Sequence, residues 1–218
     1  MRSEVALRSV LFVPGDRIDA VEAAMGSGAD ALVNRAQVGL VAGADGAAPG
    51  QLDRAVEAYL GVGALAPAAS AMLIRAQIAL GADDPAEAEA HLLRARRTGG
   101  DLLDERSRAQ IAALLADVHL RRGGEDGAAA AEALTAAHLF DGFDPGAAIR
   151  ARRRAAVAFA RDGRPAEAAA LLESVLPDVD ELDDPEEIAP VRHQYGRYLL
   201  ALGEHREAAR LFISAATL

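Results

Sequence analysis

A short pattern recurs five times along the chain: a glycine followed at set spacing by a small, a large and a small residue. From Gly203, offsets of 5, 9 and 12 reach Ala208, Phe212 and Ala215. The same offsets lead from Gly163 to Ala168, Leu172 and Val175, and from Gly50 to Ala55, Tyr59 and Val62. From Gly81 and Gly123 the turn is two residues longer, and the triplets are Ala88, Leu92, Ala95 and Ala130, Leu134, Ala137. Residues three and four apart share one face of a helix, so each triplet marks a packing stripe. The first alanines, from Ala55 to Ala208, lie 33, 42, 38 and 40 residues apart. A helical unit repeated at such a period cannot bury its apolar face alone, so the copies must stack on one another.

The last copy is the fullest. One helix runs from about Tyr195 to Leu202 and turns at Gly203, and a second starts at about Glu204. Gly196, Ala208 and Ala215 are small enough to let the two antiparallel helices approach closely, and Phe212 fills the gap between them. This Ala208–Phe212 spacing resembles the A-x-x-x-F element in the second helix of a tetratricopeptide repeat. The resemblance extends over residues 51–218. It implies an all-α fold, a TPR-like helical-hairpin superhelix (an α-solenoid). It also implies a scaffold or regulatory module that binds a protein or peptide on its concave face, which in that family is lined mainly by the first helix of each pair. Those helices carry Arg75, Arg108, Arg153 and Arg197, the candidate partner-binding residues. The family period is about 34 residues, so the longer intervals here call for long loops or helices.

Composition is consistent with stacked helices. Hydrophobic residues make up 51% of the chain but aromatic ones only 4%, and alanine supplies much of the difference. Alanine is the best helix former, yet each one buries little area. A solenoid tolerates this, because every hairpin needs only its neighbours. The net charge of −10 disfavours nucleic acid or an anionic membrane as partner. The absence of cysteine excludes disulfides and thiol chemistry. No apolar run reaches the roughly 18 residues of a membrane helix, and Asp16, Arg17 and Asp19 interrupt any signal-peptide core. The expected compartment is the cytoplasm.

Residues 1–33 differ from the rest. Ser9–Val13 is a short apolar, β-branched run ended by Pro14 and Gly15, which predicts a strand. A helix is expected from about Arg17 to Met25, and a second strand from Ala31 to Val33. The segments Arg8–Arg17 and Ser27–Ala31 resemble the start of the HpcH/HpaI aldolase and citrate lyase β-subunit family. That family folds as (β/α)8 barrels that make or break carbon–carbon bonds, often on acyl-CoA, with a divalent metal. The resemblance therefore carries an alternative reading, a CoA-ester lyase present only as its N-terminal segment. The acidic segment expected after the second strand is replaced by Asn34-Arg35-Ala36-Gln37, and no later catalytic or metal-binding motif follows. The domain reading is a β-α segment at 1–33, a glycine-rich junction at 34–50 and helical repeats at 51–218.

Nine helices are expected, at roughly 51–62, 68–80, 85–97, 104–122, 127–139, 146–162, 165–176, 187–202 and 204–217. Asp84-Pro85-Ala86-Glu87 and Asp184-Pro185-Glu186-Glu187 each order a cap, a first-turn proline and a glutamate. Asp144-Pro145 has the first two. Pro190 falls early in its helix, where it shifts the expected start. His91, His119, His138, His193 and His205 form no metal-ligand spacing such as H-E-x-x-H, and they read as solvated or half-buried helix residues. The acidic run from Asp178 to Glu187 reads as a solvated loop, because position six of a calcium loop would be Asp183 instead of glycine. Arg150, Arg152, Arg153 and Arg154 read as a charged face that pairs with nearby acids. Gly26–Ala31 fits G-x-G-x-x-A but follows a helix instead of a strand. No catalytic residue, metal ligand or cofactor is expected. Leu211, Phe212 and Leu218 cannot all point back at the preceding helix, so the expectation is either that the protein continues past Leu218 or that it self-associates through the C-terminal helix.

The missing acidic segment after Val33 yields a test. The purified chain, given magnesium and malyl-CoA or citramalyl-CoA, should release no cleavage product. Metal-dependent turnover by homogeneous protein would revive the lyase reading.

Overall fold

The computed structural model describes Val33 and residues 48–217. The expected strand at Ser9–Val13 and helix at Arg17–Met25 lie outside the described residues. Val33, expected to belong to a second strand, is helical. From residue 48 onward the chain is built of α1 (Ala48–Gly61), α2 (Leu65–Gly81), α3 (Pro85–Gly99), α4 (Glu105–Arg122), α5 (Asp126–Phe140), α6 (Pro145–Arg161), α7 (Pro165–Leu182), α8 (Pro185–Ala201) and α9 (His205–Ala216). A single 3-10 turn, Gly100–Leu102, links α3 to α4. There is no strand among the described residues.

These residues form two compact units that divide between Ala71 and Met72, within α2. In the first, Leu52, Ala55, Val56, Tyr59, Ala68 and Ala69 are buried, and Gly63 turns the chain with φ 72°. In the second, each helix from α3 to α9 packs on the next, α4 also touches α6, and α6 also touches α8. The closer packing of alternate helices is on the even-numbered side, and that side is termed the inner one.

The repeat is set by two polar devices at one interval. Asp104, Asp144 and Asp184 stand forty residues apart and cap α4, α6 and α8. Asp104 accepts from the Ser107 N–H at 2.7 Å, Asp144 from Ala147 at 3.0 Å and Asp184 from Glu186 at 3.0 Å. Asp83, Gly123, Gly163 and Gly203, again forty apart, take positive φ where each even helix turns into the following odd one. Glycine meets this at no steric cost, and aspartate is among the few other residues that tolerate it. Asp84 caps α3 through the Glu87 N–H at 2.9 Å, as its sequence predicts.

Between the helices the core is largely alanine. Ala109, Ala112, Ala136, Ala137, Ala147, Ala148 and Ala151 cluster around Phe140. Ala156, Ala168, Ala169, Leu172, Tyr195, Leu199 and Ala208 form a second cluster, against which Leu211 and Phe212 pack. A Cβ added at Gly196 would lie 2.8 Å from Phe212 Cε1, so the bare glycine makes room for the ring. At the α3 end, a Cβ on Gly99 would lie 2.5 Å from Leu103 Cγ.

Several expectations are corrected. Gly50 lies in the first turn of α1 and Gly81 ends α2, so neither is a turn residue. Helix α7 does not stop at residue 176: it runs through Pro177 to Leu182, which makes the first half of the acidic run helical instead of a loop. A proline inside a helix costs about 3 kcal/mol. The extension offsets this by burying Val179 among Ile149, Val175, Ile188 and Val191. Likewise α8 starts at Pro185 and carries Pro190 within it. Leu134 is 38% exposed, where its repeat position predicts burial. Helix α5 faces its neighbours with Ala129, Ala130, Ala133, Ala136 and Ala137, and Phe140 supplies the large side chain. At the C-terminal helix, Leu211 and Phe212 both point back, and Ile213 is the exposed apolar residue at 66%. Leu218 lies outside the described residues.

Leu172 and Leu134 occupy equivalent repeat positions but differ in burial, which separates two outcomes. Leu172→Ala should cost about 2–5 kcal/mol, and Leu134→Ala under about 1 kcal/mol. Urea unfolding followed by circular dichroism measures both, and equal losses would contradict the packing described here.

Candidate partner-binding face

The inner side of α4, α6 and α8 can be read from two ion pairs that join the even helices. Arg154 Nε meets Asp117 of α4 at 2.5 Å, and Arg150 Nη1 meets Glu187 of α8 at 2.6 Å. With about 100° per residue, the exposed arc of α6 that contains these two arginines also contains Arg153, Val157 and Arg161. On α4 the arc around Asp117 holds Arg106, Gln110, Ala113 and Arg121. On α8 the arc around Glu187 holds Gln194 and Tyr198. Arginines outnumber carboxylates on this face, in a chain that is acidic overall.

Most of these cations already have work in the fold. Arg121 donates to the Leu80 carbonyl at 2.9 Å and Arg161 to the Leu120 carbonyl at 2.6 Å. Each therefore places a positive charge on the C-terminal end of the preceding even helix, where the helix dipole favours it. The position forty beyond Arg161 is Ala201, which has no side chain to continue the series. Arg106 lies over the Phe143 ring, 5.0 Å from its centroid. Arg152, on the flank of α6, binds both carboxylate oxygens of Asp141 at 2.7 Å.

Arg153 differs from its neighbours. It is half-buried and has no carboxylate within ion-pair distance among the described residues. Burial pushes its guanidinium below the ordinary arginine value. Glu187 acts in the opposite direction, and Arg154 and Arg150 add to the lowering. Its charge persists at any physiological pH, so the site holds a partly desolvated cation whose donors are open. Tyr198, nearby on α8, accepts a hydrogen bond from Gln194 Nε2 at 2.9 Å. Burial raises the Tyr198 phenol, against the Gln194 bond and the charges of Arg197 and Arg161.

The structure separates the four arginines chosen from sequence. Arg153 lies on the inner face. Arg75 is buried and bonds Glu87 at 2.7 Å, fastening α2 to α3. Arg108 is exposed, nine residues before Asp117 and so about 180° around α4, on the side away from the inner face. Arg197 is exposed on α8, about 80° around the helix from Glu187. The arginine face on α6 pairs with acids as expected at Arg150, Arg152 and Arg154. Sequence reasoning missed Arg106, Tyr198 and the cluster of Glu89, His119 and Glu125. Those three ligating side chains come from separate elements and meet only through the turn after α4.

No protein-family profile matches the chain, and no curated protein matches it. Among solved structures, a putative kinesin light chain with nearly identical TPR-like repeats from Podosopora anserina is similar with a TM-score of 0.64. The two share 18% identity, over 88% of this chain and 94% of that one. MamA is similar at 0.58, with 17% identity over 77% of this chain and 88% of its own. PilF of Pseudomonas aeruginosa is also at 0.58, with 18% identity over 90% and 78%. The fold is therefore that of TPR-like helical repeats, at identities that establish architecture alone. No helix among the described residues is long and apolar enough to cross a membrane.

The ion pairs between even helices should couple neighbouring repeats. A double-mutant cycle on Arg154→Ala and Asp117→Ala should return about 0.5–1 kcal/mol of interaction energy. That value should shrink as salt is raised. A coupling of zero at low salt would show that the pair holds nothing.

Proposed function

We propose that the chain is a protein-interaction module that binds an acidic peptide segment along the inner face of α4, α6 and α8. The observation that carries this reading is Arg153, a half-buried guanidinium on the inner face with no carboxylate partner among the described residues. An aspartate or glutamate from a partner would supply the missing acceptor in a bidentate geometry. Val157, Ala113 and the Tyr198 ring offer apolar surface elsewhere along the same face. The TPR-like fold supports a scaffold role, because stacked hairpins present an extended surface without catalytic machinery. The net charge of −10 works against nucleic acid and anionic membranes, and localises any attraction for acidic partners to this face. A cytoplasmic setting is consistent with this reading.

Fluorescence anisotropy with labelled peptides that mix acidic and apolar residues tests the proposal. A charge-assisted hydrogen bond is worth about 1.5–3 kcal/mol. Arg153→Gln should therefore weaken binding about 10- to 100-fold, while Arg108→Gln on the opposite side leaves it unchanged. Equal binding of basic and acidic peptides, or equal loss in both variants, would remove the inner face as the site.

A further inference from the structure

On the side of α4 away from the inner face, three side chains from three elements converge. Glu89 comes from α3, His119 from the last turn of α4, and Glu125 from the residue just before α5. Each offers one ligand atom, and these atoms all lie within 4.8 Å of one another. All three residues are only half-exposed or less, and the His119 side chain is 13% exposed. His119 Nδ1 and Glu125 Oε2 are 2.6 Å apart.

The turn that brings Glu125 back to His119 is unlike the other turns. Gly123 and Gly124 are consecutive and both take positive φ, 71° and 77°, whereas no other turn among the described residues uses more than one such residue. Arg122 completes the cluster from outside. It bonds Glu89 through Oε2 and reaches Glu125 through Oε1 at 3.8 Å. Glu89 Oε1 and Glu125 Oε2 are left without a contact to Arg122, and Glu125 Oε2 is the oxygen beside His119 Nδ1.

We propose that Glu89, His119 and Glu125 form a binding site for a divalent transition-metal ion, best matched by zinc. One imidazole nitrogen with two carboxylate oxygens suits zinc, whereas calcium and magnesium favour oxygen donors alone. Zinc bonds of about 2.0–2.2 Å put neighbouring ligand atoms about 3.3 Å apart. The side chains reach that by small rotations: Glu89 moves inward and the His119–Glu125 pair parts slightly. Arg122 remains on the outer carboxylate oxygens, the position of a residue that orients metal ligands. With both carboxylates ionised and Arg122 charged, the cluster is net negative before the metal arrives. Three protein ligands leave a fourth zinc position for water.

Isothermal titration of the full, metal-stripped chain with zinc chloride tests this site. The expected result is one saturable zinc per chain. Glu89→Gln and His119→Gln should each weaken it by about tenfold or more. The unfolding temperature should rise with zinc in the unmodified chain and not in the variants. Circular dichroism establishes that each variant is folded, and Glu125→Gln substitutes for any that is not. No saturable binding, zinc binding that persists in all folded variants, or magnesium binding as tight as zinc would overturn the proposal.

Discussion

Everything in the second unit depends on how closely its helices approach. Alanine at the contact positions of α4, α5 and α6 sets a short interaxial distance, but each contact buries little area. Stability then rests on keeping many small contacts in register along helices of 15 to 18 residues. A slip would exchange alanines for the arginines and carboxylates beside them. The aspartate caps at residues 104, 144 and 184 fix where each even helix begins, and the left-handed residues at 83, 123, 163 and 203 fix where it turns. Together they define a repeat of forty residues, longer than the tetratricopeptide unit of about 34. The extra length appears as longer helices.

The same register governs the charges. Arg121 and Arg161 sit at equivalent positions and do equivalent work, each on a carbonyl at the end of the preceding even helix. Arg150 and Arg154, one turn apart on α6, reach in opposite directions to α8 and α4. Structural pairing thus accounts for most of the arginines on the inner face. Arg153 is left between them on a flank that burial has partly dried, and that setting distinguishes it from the fully solvated Arg108 and Arg197.

Much of this architecture was legible in the sequence, because helix periodicity and aspartate–proline starts are local signals. All nine expected helices from residue 48 onward are present. The small residues Ala88, Ala130, Ala168 and Ala208 are buried as their spacing predicts. The forty-residue interval was obscured, because alanines were used as markers. They report which way a helix faces, and that direction drifts by a residue or two between copies, whereas caps and turns do not drift. Leu134 shows the cost: its spacing matched, but α5 is rotated and Phe140 took the core position. Pro177 and Pro190 misled for the opposite reason. Their local preference to end a helix was overridden by the burial of Val179 and Ile188. The candidate binding residues are the least legible, since whether an arginine is engaged depends on carboxylates about 37 residues away.

The arginine series that ties each even helix to the one before it ends at Ala201. The hairpin of α8 and α9 is therefore fastened to α6 and α7 by its apolar clusters and the Arg150–Glu187 and Arg192–Asp180 pairs, without a guanidinium holding the end of α6. In a stack where stability passes from neighbour to neighbour, the element with one tie fewer opens at the lowest free energy. Amide protons in α8 and α9 consequently exchange through partial opening while α4, α5 and α6 stay closed. The two polar devices of the repeat thus set its periodicity, and the loss of a third sets the order in which it comes apart.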